Sequence, residues 1–449
     1  MMSVIAVVLG ILLLWILYKY PWLCISLLFW TPVIKYGAYS KIPFFRVVDL
    51  TMFVCVMAGI FGLRLHFRNK KHGLVSEFPT AMIVCILIIT FILGFSLMWT
   101  TAPDFGQMKF MRVLLIGIPF LILPSLYITT EDDAKYILLS FVILAIITAF
   151  VMVFFPSHEI ANDHYGGGGN YGRRTFMGSD PNSAALTVTC GVLILLASFM
   201  SSYAKTIHKI TGLILFPLGI LAVLLSGSRG TMLGLVLAIF TIPLQSKSKI
   251  KTFLLLSLVG TISITILVFV IMPLFMGEIP IDRWLNFADQ VKGGDTSSNR
   301  LPAWVFCWEN AWDGMVVFGH GSGSYAMDYL KKDIPYWPHS IFFECLYETG
   351  IIGATAISFF FFYVIKTILQ GMKFSQDTLD RYILMATTMC TIPMCLFSLI
   401  QWSLDGSRFL FLFSGILFSN TALIKRKHRK RLIALDSSSQ SKHINLNSP

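Results

Sequence analysis

Apolar stretches of roughly 17 to 25 residues follow one another along almost the whole chain, each long enough to cross a hydrocarbon core of about 30 Å as a helix. This recurrence constrains the fold more than any other feature. A backbone in lipid must satisfy its own hydrogen bonds, and a helix does so within one segment. The candidate spans are 3–19, 21–35, 47–65, 80–98, 109–128, 135–155, 183–203, 209–225, 230–246, 252–276, 341–369, 381–401 and 407–424. The first two are separated only by Lys19-Tyr20-Pro21 and form one kinked unit or two, so the expectation is about twelve or thirteen spans. A soluble chain of this length divides into about two or three domains. Here 56% of residues are hydrophobic and 13% charged, which leaves no long polar stretch for a separate one. The expected fold is all-α and polytopic. A single membrane domain covers 1–424, a large extracytoplasmic loop carrying short helices lies near 276–340, and residues 425–449 form a basic, disordered cytoplasmic tail.

The net charge of +12 is accounted for by a topological bias, because loops on the cytoplasmic side of membrane proteins concentrate Lys and Arg. Nucleic-acid binding is therefore not expected. The basic run Lys425-Arg426-Lys427-His428-Arg429-Lys430-Arg431 suits that side and also anionic lipid headgroups. The eight cysteines lie mostly inside apolar segments without metal-ligand spacing, and read as small core residues. The N-terminal segment has no basic region ahead of its apolar run and no small-residue cleavage site, so it is expected to be a retained span.

The basic loops at 64–71, 205–209 and 247–251, together with the tail, fall on one side of this span count, making that side cytoplasmic. The opposite side receives 36–46, 99–108, 156–182, 226–230, 276–340 and 402–406. Three of these carry polar chemistry. Segment 156–182 contains His164, four consecutive glycines at 166–169, and Arg173-Arg174. The glycines give a flexible loop without the strand-to-helix context of a phosphate loop. Asp180-Pro181-Asn182-Ser183 is a helix start. Arg173 and Arg174 are interface anchors or supporting contacts to an anionic substrate. Ser226-Gly227-Ser228-Arg229-Gly230 separates two spans with almost no loop, placing a guanidinium beside close-approach backbone amides. Such a group grips phosphate through a planar fork, though a span-end arginine also serves as an anchor.

In the large loop, Ser298-Asn299-Arg300 precedes Trp304, the turn FGHGSGSY spans 318–325, and Pro338-His339-Ser340 opens an apolar helix holding Glu344, Glu348, Gly350 and Gly353. His320 and His164 read as loop residues. Glu344 and Glu348 are four apart and share a helix face, where they orient His339, pair with an arginine, or pair structurally. The loop tryptophans and tyrosines either stack on sugars or form an interfacial belt, and the belt accounts for most of them.

The order of these pieces, SGSRG at 226–230, NRLPAW at 299–304, FGHGSGSY at 318–325 and PHSIFFECLYETGIIG at 338–353, resembles the O-antigen ligase and polymerase superfamily. These are the membrane glycosyltransferases that finish bacterial surface polysaccharides. The chain departs from the usual pattern at Ser340, where asparagine is commoner, and at His320, where a small apolar residue is usual. The resemblance implies an inverting transfer of a polyprenyl-diphosphate-linked glycan, with no metal, cofactor or nucleotide sugar. The acceptor would be a sugar hydroxyl on lipid A core or on a lipid-linked repeat. By motif, Arg229 and Arg300 would bind the diphosphate and His339 would take the hydroxyl proton. The implied setting is the bacterial inner membrane, with the site facing the periplasm or exterior and a chain-length regulator as a further partner. Polymerisation is favoured over ligation on breadth alone, because more surface-polysaccharide systems need a polymerase.

The residues suit this chemistry. Two arginines can stabilise a departing diphosphate without a cation, and histidine is the usual base near neutral pH. No HExxH or DxD motif is present, and the acidic cluster Glu131-Asp132-Asp133 falls on the cytoplasmic side. The competing expectation is a secondary transporter or lipid-linked oligosaccharide flippase. That would call for ionisable groups near span midpoints and a repeat of broken helices.

Overall fold

The computed structural model describes residues 12, 14–41, 49–68, 80–155, 157–158, 174–177, 179–245, 300–313, 315–375 and 377–445. The expected span 252–276, most of span 3–19, the loop up to residue 299, His164, the glycines at 166–169 and Arg173 lie outside the described residues. Among the described residues nine helices are long and apolar enough to cross a membrane: Leu50–Phe67, Thr80–Met98, Pro103–Tyr127, Glu131–Phe154, Pro181–Met200, Thr206–Ser226, Ile341–Phe374, Thr378–Ile400 and Arg408–Ala434. The chain is an all-α polytopic membrane protein. Two further expected spans appear as the helices Leu23–Lys41 and Arg229–Phe240. At 12 residues and about 1.5 Å per residue, the second is too short to cross a bilayer by itself.

Local chemistry sets where these helices begin. The expected start at Asp180-Pro181 is borne out: the Asp180 carboxylate accepts the amides of Asn182 and Ser183, with Pro181 at the first helical position. Thr130 and Asp133 form a reciprocal capping box for Glu131–Phe154. Pro181–Met200 is buried along nearly its whole surface and packs against Glu131–Phe154, Thr206–Ser226 and Thr378–Ile400. The C-terminal helix packs against Pro103–Tyr127, Ile341–Phe374 and Thr378–Ile400. A wide π turn at Val113–Gly117 interrupts Pro103–Tyr127.

Polar groups gather at the two ends of the bundle. At one end Lys427 pairs with Glu131, Asp377 and Asp380, and Arg431 with Asp377, while Tyr203 stacks on Tyr382. The helix that begins at Arg408 continues through the basic run to Asn445, with Lys427 and Arg431 held by acidic helix starts. At the other end Ser228 meets Asn182, Thr100 meets Ser322, Arg112 meets Asp405 and Arg300 meets Gln401. Among the described residues, parts of segments 99–108, 156–182, 226–230, 276–340 and 402–406 therefore share one end.

Ile341–Phe374 contains a break. Gly350 sits at φ 66°, ψ −163°, and the glycine-rich turn lies against the gap. His320 N–H donates to the Tyr347 carbonyl (2.9 Å) and Gly321 N–H to that of Glu348 (3.0 Å), while Ile351 N–H donates to the Val316 carbonyl (2.9 Å). The backbone groups freed by the break are thus satisfied. A Cβ on Gly350 would lie 2.4 Å from the Val317 carbonyl oxygen, and one on Gly319 would lie 2.4 Å from the Glu348 backbone. Both positions also have positive φ, so glycine is required twice over.

Candidate active site

Arg229 opens its helix directly after Gly227, which ends the preceding helix in the left-handed conformation at φ 61°. The serines around it are occupied locally. Ser226 Oγ donates to the Val223 carbonyl and accepts the Ser228 amide, and Ser228 Oγ donates to Asn182 Oδ1 at 2.8 Å. The hydroxyls of the motif therefore serve the turn from which Arg229 starts its helix.

Arg300 begins the Arg300–Asn310 helix. One turn on, Trp304 donates its indole N–H to the Pro338 carbonyl at 2.8 Å and stacks on Phe343. This ties the arginine helix to the segment carrying His339. An Arg300 Nη donates to Gln401 Oε1 at 2.7 Å, and its Nε is buried with no hydrogen-bond partner among the described residues. Burial and the nearby Arg229 charge both press the Arg300 guanidinium below its ordinary range. The two arginines therefore sit within electrostatic reach of each other.

His339 Nδ1 lies 3.3 Å from the Gln401 backbone carbonyl oxygen. A carbonyl only accepts, so Nδ1 carries the proton and Nε2 is the acceptor of the neutral ring. Burial pushes this imidazole down to about 4; the Gln401 carbonyl opposes the shift and the Arg300 charge adds to it. Near neutral pH the ring is uncharged and able to take a proton. Tyr336 and Trp337 present their rings edge-on to it, at 6.0 and 5.6 Å between centroids.

Arg229, Arg300 and His339 thus come together, and the other expected residues take different places. Glu344 and Glu348 pair with Lys109, at 2.6 and 2.7 Å, all three side chains fully buried. Among the described residues they make no ion pair or hydrogen bond with His339 or an arginine. Each also holds a backbone segment: Glu344 accepts the Leu404 amide at 2.6 Å and Glu348 the Gly323 amide at 2.9 Å. Arg174 is buried and donates to the Val153 carbonyl at 2.5 Å, closing the end of Glu131–Phe154 from within a short antiparallel pairing of Ser157–His158 with Arg174–Thr175. His320 meets the Asn310 carbonyl and stacks on Tyr347, a packing role. Among the aromatics, Tyr325 is fully buried against Tyr329 and Tyr336, whereas Trp308 and Trp312 are exposed as a belt requires.

Three residues of this end escape a reading of the sequence. Lys109 had a signal, since a lysine inside an apolar helix needs a buried partner. Asp405 is held by Arg112 and Ser403. Burial opposes its charge, but Lys109 and Arg112 hold its carboxyl below the usual range. Gln401 carried no signal, because an amide at a helix end looks like any interface residue. Among the described residues no three His, Cys, Asp or Glu side chains assemble as metal ligands.

The bundle carries Arg229, Arg300 and His339 at one end. Residues 214–358 match a family model described as O-antigen ligase, which bears out the resemblance to the O-antigen ligase and polymerase superfamily over the stretch holding Arg229, Arg300, His339, Glu344 and Glu348. Among curated proteins none matches the chain. The family match supports a membrane glycosyltransferase-like role in surface polysaccharide assembly.

Proposed function

We propose that the protein moves a glycan from a polyprenyl-diphosphate carrier onto a sugar hydroxyl, with inversion at the anomeric carbon and without a metal ion. The observation that carries this reading is the position of Arg300. It neighbours both Arg229 and His339, and its hydrogen-bonded partner is a neutral amide. A carboxylate there would cancel the guanidinium charge; an amide orients it and leaves the charge for an anion. Arg229 and Arg300 bind the diphosphate and stabilise it as it leaves. His339 Nε2 takes the proton of the acceptor hydroxyl while its oxygen attacks the anomeric carbon. The bond from that carbon to the diphosphate oxygen breaks, and polyprenyl diphosphate departs. Bound diphosphate also places negative charge near the imidazole and raises its basicity.

The site end faces away from the cytoplasm of a bacterial inner membrane, because the opposite end holds the basic run from Lys425 to Arg431. The acceptor is another lipid-linked repeat, as a polymerase uses, or lipid A core, as a ligase uses.

The test is the surface glycan profile of cells lacking the protein, complemented with wild type, Arg229→Lys, Arg300→Ala or His339→Ala at matched expression. Long glycan is expected with wild type alone. Arg229→Lys fails because an ammonium cannot make the forked phosphate contact. Single lipid-linked repeats accumulating in the variants identify a polymerase, and long unattached chains a ligase. Full complementation by all three variants would reduce these residues to structural roles.

A further inference from the structure

Arg300 and His339 lie far apart in sequence and on different elements, yet both end on one residue. Gln401 closes the Thr378–Ile400 helix, its amide N–H still bonded to the Phe397 carbonyl at 2.8 Å. Its side-chain oxygen accepts from Arg300 at 2.7 Å, and its backbone oxygen accepts from His339 Nδ1 and from the Trp337 indole, each at 3.3 Å. The loop that follows is held in place. Glu344 takes the Leu404 amide, Ser403 donates to Asp405, and Asp405 pairs with Arg112.

We infer that Gln401 is a positioning residue that aims the Arg300 fork at the diphosphate and sets the tautomer of His339. This deepens the proposed transfer reaction and rests on it. The chemistry of the side chain matters in two ways. The amide oxygen engages one Nη of Arg300 and leaves Nε, buried and without a partner among the described residues, as a donor for a ligand oxygen. Because the amide is neutral, that orientation is achieved without cancelling the guanidinium charge. Tautomer control comes from the backbone carbonyl, which substitutions at Gln401 retain, so side-chain variants report on the arginine alone.

The experiment measures binding of farnesyl diphosphate, a short polyprenyl diphosphate, to the purified full-length protein in detergent. It uses wild type, Gln401→Met, Gln401→Glu, Arg300→Ala and the Arg300→Ala/Gln401→Met double variant, with the thermal midpoint recorded for each. Gln401→Met keeps the volume and loses the acceptor, so binding should weaken on the order of tenfold. Gln401→Glu keeps shape and acceptor but pairs with the guanidinium, so it should bind more weakly still. A residue that only packs would give the reverse order, since glutamate is the closer match in shape. The double variant should bind no worse than Arg300→Ala, because both changes remove one interaction. Donor KM should rise more than kcat falls in Gln401→Met. Wild-type binding by Gln401→Met, or a milder effect for Gln401→Glu than for Gln401→Met, overturns the assignment. Wild-type binding by Arg300→Ala instead overturns the diphosphate role of Arg300, and the assignment with it.

Discussion

His339 sits at φ 57°, a region in which an L side chain crowds its own carbonyl at a cost of about 1–2 kcal/mol. Such strain persists only where the surroundings enforce it. Here they do so on both flanks: Trp304 holds the Pro338 carbonyl, and the Gln401 carbonyl holds the ring. The same enclosure keeps the imidazole uncharged, which gives a pH prediction of definite sign. The neutral ring is the active form and its titration is displaced from the ordinary 6.5 down to about 4. Transfer measured as kcat/KM, which reports the free enzyme, should hold as pH falls through 6.5 and decline on approach to 4. An acid limb centred near 6.5 would show that the ring is not shielded as described. Arg229 stands out in the sequence through the glycines and serines around it, and Arg300 and His339 through the order of motifs that resembles the family. Gln401 does not, since its role comes from being where two distant segments meet.

At the scale of elements, the broken Ile341–Phe374 helix organises this end of the molecule. Gly350 lets the chain break, the turn at 315–323 fills the gap, and Glu344 and Glu348 on the first half reach Lys109. Lys109 is therefore the point through which Pro103–Tyr127 holds the glycine turn and the Gln401 loop. Removing one member of a buried ion cluster leaves uncompensated charge and costs about 3–5 kcal/mol. Lys109→Met should accordingly lower the thermal midpoint and the folded yield. Adding Glu344→Gln and Glu348→Gln to it should recover part of the loss. Wild-type stability in Lys109→Met would show that the cluster does not anchor these loops. The glycine motif at 318–325 was visible in the sequence, but its purpose was not. Its glycines answer to the close approach of a second backbone, which no local pattern announces. Similarly, four-residue spacing put Glu344 and Glu348 on one face and left open which cation they would meet.

For the whole molecule, apolar periodicity was enough to delineate the membrane fold, because lipid permits few alternatives. Among the described residues the expected span at 230–246 is the 12-residue helix Arg229–Phe240 followed by Ile242–Gln245. The C-terminal helix runs through the basic stretch to Asn445, with Lys427 and Arg431 meeting acidic partners. The separation of polar groups into two ends followed from counting spans, and the contacts at each end agree with that count. Between the ends lies an apolar core. The most direct test of this account is release of polyprenyl diphosphate from a purified lipid-linked glycan donor by the protein in proteoliposomes containing a chelator. Wild type should release one carrier for each glycan transferred, and His339→Ala should release none beyond background. Equal release by His339→Ala, or release that the chelator abolishes and a divalent ion restores, would contradict the mechanism.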